Sequence, residues 1–419
     1  HRVCSELTSQ PLYGGRKMRC RRFSSPARRI FAGGGRAAAG SVPDSFRRDL
    51  KSVVQYARTE RVSQCPEIAE SLLRFPLPPI PKNQVELLAL LVLALIGAKD
   101  VRHAALAERC PGNAQTASVI RQIERFFHQH PLCPLDVARL VLALLPDGKR
   151  REFSMDRTNW KLGKTDVNAL VLAVHWRGVA VPLLFELLPH SGNSGTRTRL
   201  TLLDEALTLL DCCDVATIYA DREFIGQAWI QGLAERGLPI TVRLRVDARI
   251  DDLPAGEWLE GLQPDEKAML IDNAVVYGLP MNVVLTRTDQ GEPLIVASNA
   301  TKGQHILKGY RQRWKIECLF RALKTKGFQL ENTHMTLPGH VTRLLCLLTL
   351  AYVWSVLVGI SQHITLKKHG RRAWSVVTLG LRSLVRASSR QVGASGDELL
   401  DLIQLWMPHQ TIGAETVGY

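Results

Sequence analysis

The sequence predicts an α/β protein, a mixed sheet flanked by helices and preceded by a helical domain. Up to about residue 150 the apolar residues recur at helical spacing. From Arg151 the pattern changes to short β-rich runs, which then alternate with helical stretches. The length of 419 residues suffices for two or three domains and at least one sizeable core.

Charge and cysteine usage narrow the class. The chain carries 54 basic against 39 acidic residues, a formal net charge of +15. Such an excess favours a polyanionic partner, nucleic acid before an anionic membrane. The nine cysteines are scattered, with no C-x-x-C and no Cys/His cluster at zinc-finger spacing. They read as reduced, mostly buried thiols of a cytosolic protein. Leu344–Ile360 is a run of seventeen uncharged residues with Arg343 at its edge. It is short for a membrane span and reads as a buried core helix.

Residues 1–82 form a basic extension. Residues 1–40 hold nine Arg/Lys against the single Glu6, are rich in Gly, Ala and Ser, and show no apolar period. Disorder is expected there. Both a basic arm on DNA and a tail of no defined role suit it. The proline-rich run 75–81 then acts as a stiff linker.

Residues 83–150 make the helical domain. A leucine-rich helix over 83–97 leads to Val101–Arg109, a Cys-Pro-Gly-Asn turn capped by Asn113, and a second helix Ala114–His128. The layout resembles a helix-turn-helix, and a plain helical hairpin fits it equally. Val119, Ile120, Ile123, Phe126 and Phe127 form the buried stripe of the second helix. Gln115, Ser118, Arg121, Gln122 and Arg125 face outward, and such side chains reach phosphates or base edges. A third helix, 134–146, closes the unit.

Three consecutive strands follow, Glu152–Met155, Val167–His175 and Val179–Leu187, with Arg177-Gly178 turning the second into the third. Then come helix Thr198–Leu210, strand Val215–Ala220, helix Phe224–Arg236 and strand Ile240–Val246. Asp156, before Arg-Thr-Asn-Trp, and Asp221, before Arg-Glu-Phe, sit where strands are expected to end. A turn residue and a helix N-cap are the ordinary roles for such positions. W-K-L-G-K-T at 160–165 is not a phosphate-binding loop, because Thr158 stands where its first glycine belongs.

The stretch Gly309–Gly327 is free of proline, with Ile316, Leu319, Phe320 and Leu323 at helical spacing. At about 100° per residue, Tyr310, Arg313, Glu317 and Lys324 fall within roughly 60° of one another. The pairs Arg313–Glu317 and Glu317–Arg321 suit an ordinary surface helix. Taken with Asp156 and Asp221, the same face suits chemistry. Two carboxylates at strand ends and one from a helix can hold two divalent metals ~3.5–4 Å apart for in-line attack on a phosphodiester. Mg²⁺ prefers such oxygen ligands, with Mn²⁺ as a substitute. Nearby Arg, Lys and Tyr would position the phosphate backbone, and Arg157 and Arg222 directly follow the two aspartates.

D-R-T-N-W at 156, A-D-R-E-F at 220 and Y-x-x-R-x-x-x-E-x-x-x-x-x-x-K at 310 together resemble the DDE transposases of bacterial insertion sequences, in the subgroup with a Tyr-Arg-Glu-Lys signature. Order and separation agree, with 65 residues from Asp156 to Asp221 and 96 from there to Glu317. The resemblance spans about residues 83–385. It implies a ribonuclease-H-like core divided into 151–246 and 293–362, with a β-rich insertion at 247–292. Region 363–419 would be basic and helical, and Pro338–Ile360 a helix pair. It further implies that Asp156, Asp221 and Glu317 bind the metals. Tyr310 and Arg313 would hold phosphates, and Lys324 the DNA backbone. Trp258, Tyr277 and Trp314 are candidates for stacking a flipped base. The implied activity is cleavage of the element's ends and joining of their 3′-OH groups to target DNA. The implied partner is double-stranded DNA, bound by a dimer or larger assembly in the bacterial cytoplasm at the nucleoid. A nuclease of the same core without strand transfer, and a non-catalytic DNA-binding relic, are the alternatives.

Overall fold

The computed structural model of the chain describes residues 81–405 apart from 111–113, 146–149, 163–164, 263–266, 364, 369–371, 390–401 and 404. The expectations for residues 1–80, the Pro-Gly turn with its Asn113 cap, and most of the basic region 363–419 lie outside these residues.

Helices α1 (Lys82–Ala98), α2 (His103–Arg109), α3 (Thr116–Gln129) and α4 (Pro134–Leu144) form where the apolar period predicts them. In α3, Ile123, Phe126 and Phe127 are buried, while Gln115, Ser118, Arg121, Gln122 and Arg125 are exposed. Val119 and Ile120 are half-buried. Helix α1 begins after Pro81 and ends at Lys99, which adopts the left-handed conformation.

The sheet starts with β1 (Arg151–Leu162), β2 (Thr165–Trp176) and β3 (Val179–Leu188), an antiparallel meander. The middle strand is buried almost throughout, as expected for a strand covered on both faces. Next come α5 (Thr196–Leu207), β4 (Val215–Ala220), α6 (Gln227–Glu235) and β5 (Ile240–Arg243), with β4 parallel to β1 and β5 parallel to β4. The order β3-β2-β1-β4-β5, with this mix of directions, is that of a ribonuclease-H-like core.

A two-strand hairpin β6 (Arg249–Ile250) and β7 (Leu253–Pro254) and the short α7 (Ala255–Glu260) follow. Then β8 (Ala268–Val276), β9 (Leu279–Arg287) and β10 (Pro293–Ser298) join the same sheet through β10 on β5, giving eight strands in the order β3-β2-β1-β4-β5-β10-β9-β8. The β-rich stretch is thus hydrogen-bonded into the main sheet.

The stretch expected as one helix is built in pieces. Helix α8 (His305–Tyr310) tightens into a 3₁₀ turn at Arg311–Arg313, continues as α9 (Trp314–Arg321), and loosens into a π turn at Ala322–Lys326. Local over- and underwinding of this kind re-aims side chains that a uniform helix would hold at fixed 100° steps. Pro338–Ser361 is a single 24-residue helix, α10, and not the expected pair, since nothing after Pro338 at its first position breaks it. It is the one helix among the described residues long and apolar enough to cross a membrane, and 89% of its most apolar window is buried. It is a core helix. Against it packs α11 (Val376–Ser389), where Gly359 and Gly380 let the two backbones approach. A Cβ at Gly380 would overlap the Ser355 carbonyl, and one at Gly359 the Val376 carbonyl.

Two faces of the sheet are covered differently. On one, Phe153, Leu172 and Ile218 meet Leu203 and Ala206 of α5. On the other, Val171 and Phe185 meet Phe320 and Leu323 of the segmented helix and Leu345 of α10. The expectation of mostly buried cysteines fails: of those described only Cys346 is buried, and Cys213 and Cys318 are exposed. None of those described is in a disulfide.

Candidate active site

The two aspartates meet because of register. On the β1–β4 ladder Met155 pairs with Ala220, so Asp156 and Asp221 occupy the first positions beyond the last rung. Here Asp156 departs from the expected strand end. It lies inside β1, paired with Val171, because the β1–β2 ladder runs on to Leu162 while β4 turns away. The carboxyl ends of diverging parallel strands are where such sheets open a crevice. Both aspartates accept the backbone N–H of the arginine that follows, at 2.7 Å.

Helix α8 lies close over β4. Tyr219 Oη would be 3.0 Å from a Cβ at Gly309, a tight contact that any larger residue would have to relieve by shifting the tyrosine. The helix then delivers three signature side chains. Arg313 Nη1 donates to Asp156 Oδ2 at 3.0 Å and Nη2 to Glu317 Oε1 at 2.5 Å. Tyr310 Oη donates to Asp221 Oδ1 at 3.4 Å, and Arg313 also lies 5.9 Å from the Tyr310 ring centre. The three acids predicted to act together are therefore brought together, with Tyr310 and Arg313 between them.

The electrostatics follow. Burial pushes Asp156 up to about 6, helped by the charges of Asp221 and Glu317 and opposed by Arg313 and the Arg157 N–H. Burial works to lower Arg313, yet Tyr310, Asp156, Asp221 and Glu317 hold it above its ordinary value. Tyr310 is raised by burial and stays a neutral donor. This is a pocket with excess negative charge, and its cation at present is Arg313.

The donor set fits a divalent ion in its chemistry, since all three groups supply carboxylate oxygens. As the side chains stand, no three acidic, histidine or cysteine groups among the described residues are close enough to share one ion. Arg313 occupies the space between them.

Other predicted residues are placed as follows. Lys324 donates its Nζ to the Asn159 carbonyl and lies 3.7 Å from Glu331 Oε1. Burial lowers its pKa and Glu331 partly restores it. Arg222 is exposed at the turn after β4, and Arg121 and Arg125 are exposed on α3. Arg157 lies apart from the acids. Strand alternation puts it on the sheet face opposite Asp156, where its guanidinium is committed to Glu223, Asn168 and Asn193. Among the candidate aromatics, Trp314 is 54% exposed beside Arg313, whereas Trp258 is half-buried and donates its indole N–H to the Ile250 carbonyl. Tyr277 is half-buried in the β8–β9 turn.

Sequence reasoning missed the polar support behind Asp156. Tyr219 Oη donates to Glu152 Oε1 at 2.8 Å, and His175 Nε2 meets Ser154 Oγ at 2.8 Å. Glu152 and Ser154 share the Asp156 face by alternation along β1, which is the signal that could have found them.

Fold and site together define a ribonuclease-H-like protein with a three-carboxylate cluster crossed by an arginine. Residues 147–354 match the family model of transposase DDE domains. No curated protein sequence matches the chain. Among solved structures, the piggyBac transposase in a synaptic complex with hairpin DNA is similar at 12% identity and a TM-score of 0.43, over 83% of this chain and 82% of that one. Endonuclease V of Bacillus subtilis is similar at 11% identity and a TM-score of 0.23, over 56% of this chain and 92% of that one. Both likenesses are distant, and the functional reading rests on the family match and the site.

Proposed function

We propose that the protein is an insertion-sequence transposase. It binds the ends of its own element, cleaves them, and joins the freed 3′-OH groups to target DNA by metal-dependent phosphoryl transfer. The observation that carries this is the meeting of Asp156, Asp221 and Glu317 around Arg313 at the end of the β1–β4 ladder.

Asp156, Asp221 and Glu317 would hold Mg²⁺, or Mn²⁺ in its place. When bound, the metal supplies activation of the attacking oxygen and stabilisation of the leaving one. The chain's own residues do the rest. Arg313 and Tyr310 exchange their carboxylate partners for phosphate oxygens of the DNA end. Lys324 leaves Asn159 and Glu331 for the backbone, joined by exposed Arg222. Trp314 offers a ring on which an unpaired base can stack. Arg121 and Arg125 on α3 belong to the face that reads or grips the element end. Acting on two ends at once calls for at least a dimer on DNA. The DNA substrate places the protein at the bacterial nucleoid.

The test is cleavage of a duplex carrying the element's own end, defined from the inverted repeats flanking the gene. Asp156→Asn, Asp221→Asn and Glu317→Gln are each expected to abolish Mg²⁺-dependent cutting while the duplex is still bound. Cutting near the wild-type rate by any one of them would overturn the site. Joining of a pre-cut 3′-OH end to plasmid DNA then separates a transposase from a nuclease that only hydrolyses.

A further inference from the structure

The loop over 190–195 and the Glu223 hub behind it are absorbed by none of the roles above. Glu223 sits two residues after Asp221 and is largely enclosed. It accepts from Arg157 Nε and Nη2 at 3.1 Å each, and from Ser194 N and Oγ at 3.1 and 3.2 Å. Arg199 Nη2 lies 3.5 Å away, while its Nε donates to Ser194 Oγ at 2.8 Å. Arg199 is itself buried, stacked 4.5 Å over the Phe224 ring. A second anchor is the buried Asn168. Its Nδ2 donates to the carbonyls of His190 and Gly192, both at 2.9 Å, and its Oδ1 accepts from Arg157 Nη1 at 3.1 Å.

This bracing ties the loop down from behind. The carbonyls of His190 and Gly192 and the Glu223 carboxylate are turned inward onto partners, while the Asn193 Oδ1 and the Ser191 carbonyl stay at the exposed rim. His190, Ser191, Gly192, Asn193, Gly195 and Arg197 are left exposed. No acidic residue lies between Glu186 and Asp204. A Cβ at Gly192 would meet nothing within 4 Å, so the rim is open to close approach by a partner. Arg157 and Glu223 belong to the same two chain segments that carry Asp156 and Asp221, so the loop lies at the crevice end of the sheet.

We propose that the 190–197 rim is a rest for the phosphate backbone of the DNA strand leaving the carboxylate cluster, and that Glu223 is the positioning residue that sets it. The partner is a phosphodiester chain, matched by the Arg197 guanidinium and the exposed polar groups of the rim. The proposal deepens the transposase reading and rests on it.

The experiment uses the full chain and a fluorescein-labelled duplex of arbitrary sequence, titrated over a salt series in EDTA. Arg197→Ala should weaken binding several-fold and reduce the slope of log K against log salt by about 1. Glu223→Gln separates positioning from plain charge. It removes one negative charge, so electrostatics alone predicts tighter binding. A positioning role predicts weaker binding with a shallower slope, together with faster hydrogen exchange over 190–195. A variant that merely unfolds in part would lose binding without changing the slope. An unchanged slope in Arg197→Ala, or binding as tight as or tighter than wild type in Glu223→Gln, overturns the proposal. Asp156→Asn in a plasmid-nicking assay with Mg²⁺ keeps the two levels apart. If it still nicks, the catalytic reading fails. If it is dead while the rim variants bind normally, only the rim proposal fails.

Discussion

Arg313 and Asp156 are 157 residues apart in the chain, yet Arg313 Nη1 donates to Asp156 Oδ2 at 3.0 Å with both side chains largely enclosed. The same guanidinium reaches Glu317 from one helical turn away. A buried cation thus lies between two acids that the proposed chemistry needs for a metal. In the free protein part of the site's negative charge is offset from within. Under the proposed function, loading the site with metal would require Arg313 to move toward a phosphate, coupling metal entry to the arrival of DNA.

The first expectation follows from that competition. Arg313→Gln should bind Mn²⁺ more tightly than wild type in the absence of DNA, by about tenfold, because a like charge is removed from within a few ångströms of the ion. The same variant should cleave DNA at least about tenfold more slowly, having lost a phosphate ligand. Titration calorimetry and Mn²⁺ spin resonance read the first effect independently of activity. Weaker metal binding by the variant would contradict the competition between Arg313 and the metal.

A second expectation concerns pH. Burial holds Asp156 up at about 6 against an ordinary 3.8, so the folded chain binds this proton more tightly than the unfolded chain does. Ionising Asp156 therefore destabilises the fold. That cost is fully present above about pH 6 and vanishes as the pH falls below about 4. Asp156→Asn should raise the melting temperature by about a few degrees near neutral pH and by almost nothing near pH 4. Scanning fluorimetry at the two values checks it, and an equal shift at both would show that charge is not the cause.

Trp314 gives a third. It is 54% exposed, with Arg321 5.8 Å from its ring centre, so Trp314→Ala should leave stability nearly unchanged. Stacking of an extrahelical base is worth about 1–3 kcal/mol. The variant should therefore lose roughly tenfold or more in affinity for a duplex with one unpaired base, and little for a fully paired duplex. Equal losses on both substrates would assign Trp314 to backbone contact instead.

The fourth tests the core. Gly380 lies where α11 crosses α10, and a Cβ there would overlap the Ser355 carbonyl, a backbone group that cannot turn aside. Gly380→Ala should cost about 3 kcal/mol or more, at the upper end for overpacking. Urea denaturation followed by tryptophan fluorescence measures it, and a loss below about 1 kcal/mol would mean that the helices slide apart freely.

Much of this protein is legible in its sequence because local rules dominate there. The apolar period sets α1 to α4, and the period-two runs set β1 to β5. The family resemblance carried by the two Asp-Arg motifs and the Tyr-Arg-Glu-Lys signature pointed to Asp156, Asp221, Tyr310, Arg313 and Glu317, which lie close together in the fold. Tertiary structure decided what depends on pairing between distant segments. Register between β1 and β4, and not strand length, places Asp156 beside Asp221. Alternation along β1 sends Arg157 to the sheet face opposite Asp156, where it pairs with Glu223. Over- and underwinding of the helix after Gly309 sets which of its cations touch which acid, and a count of 100° per residue cannot see that. Sequence determines which groups are available. Long-range pairing and packing decide which of them share a dielectric, and that in turn decides how strongly each charge is felt.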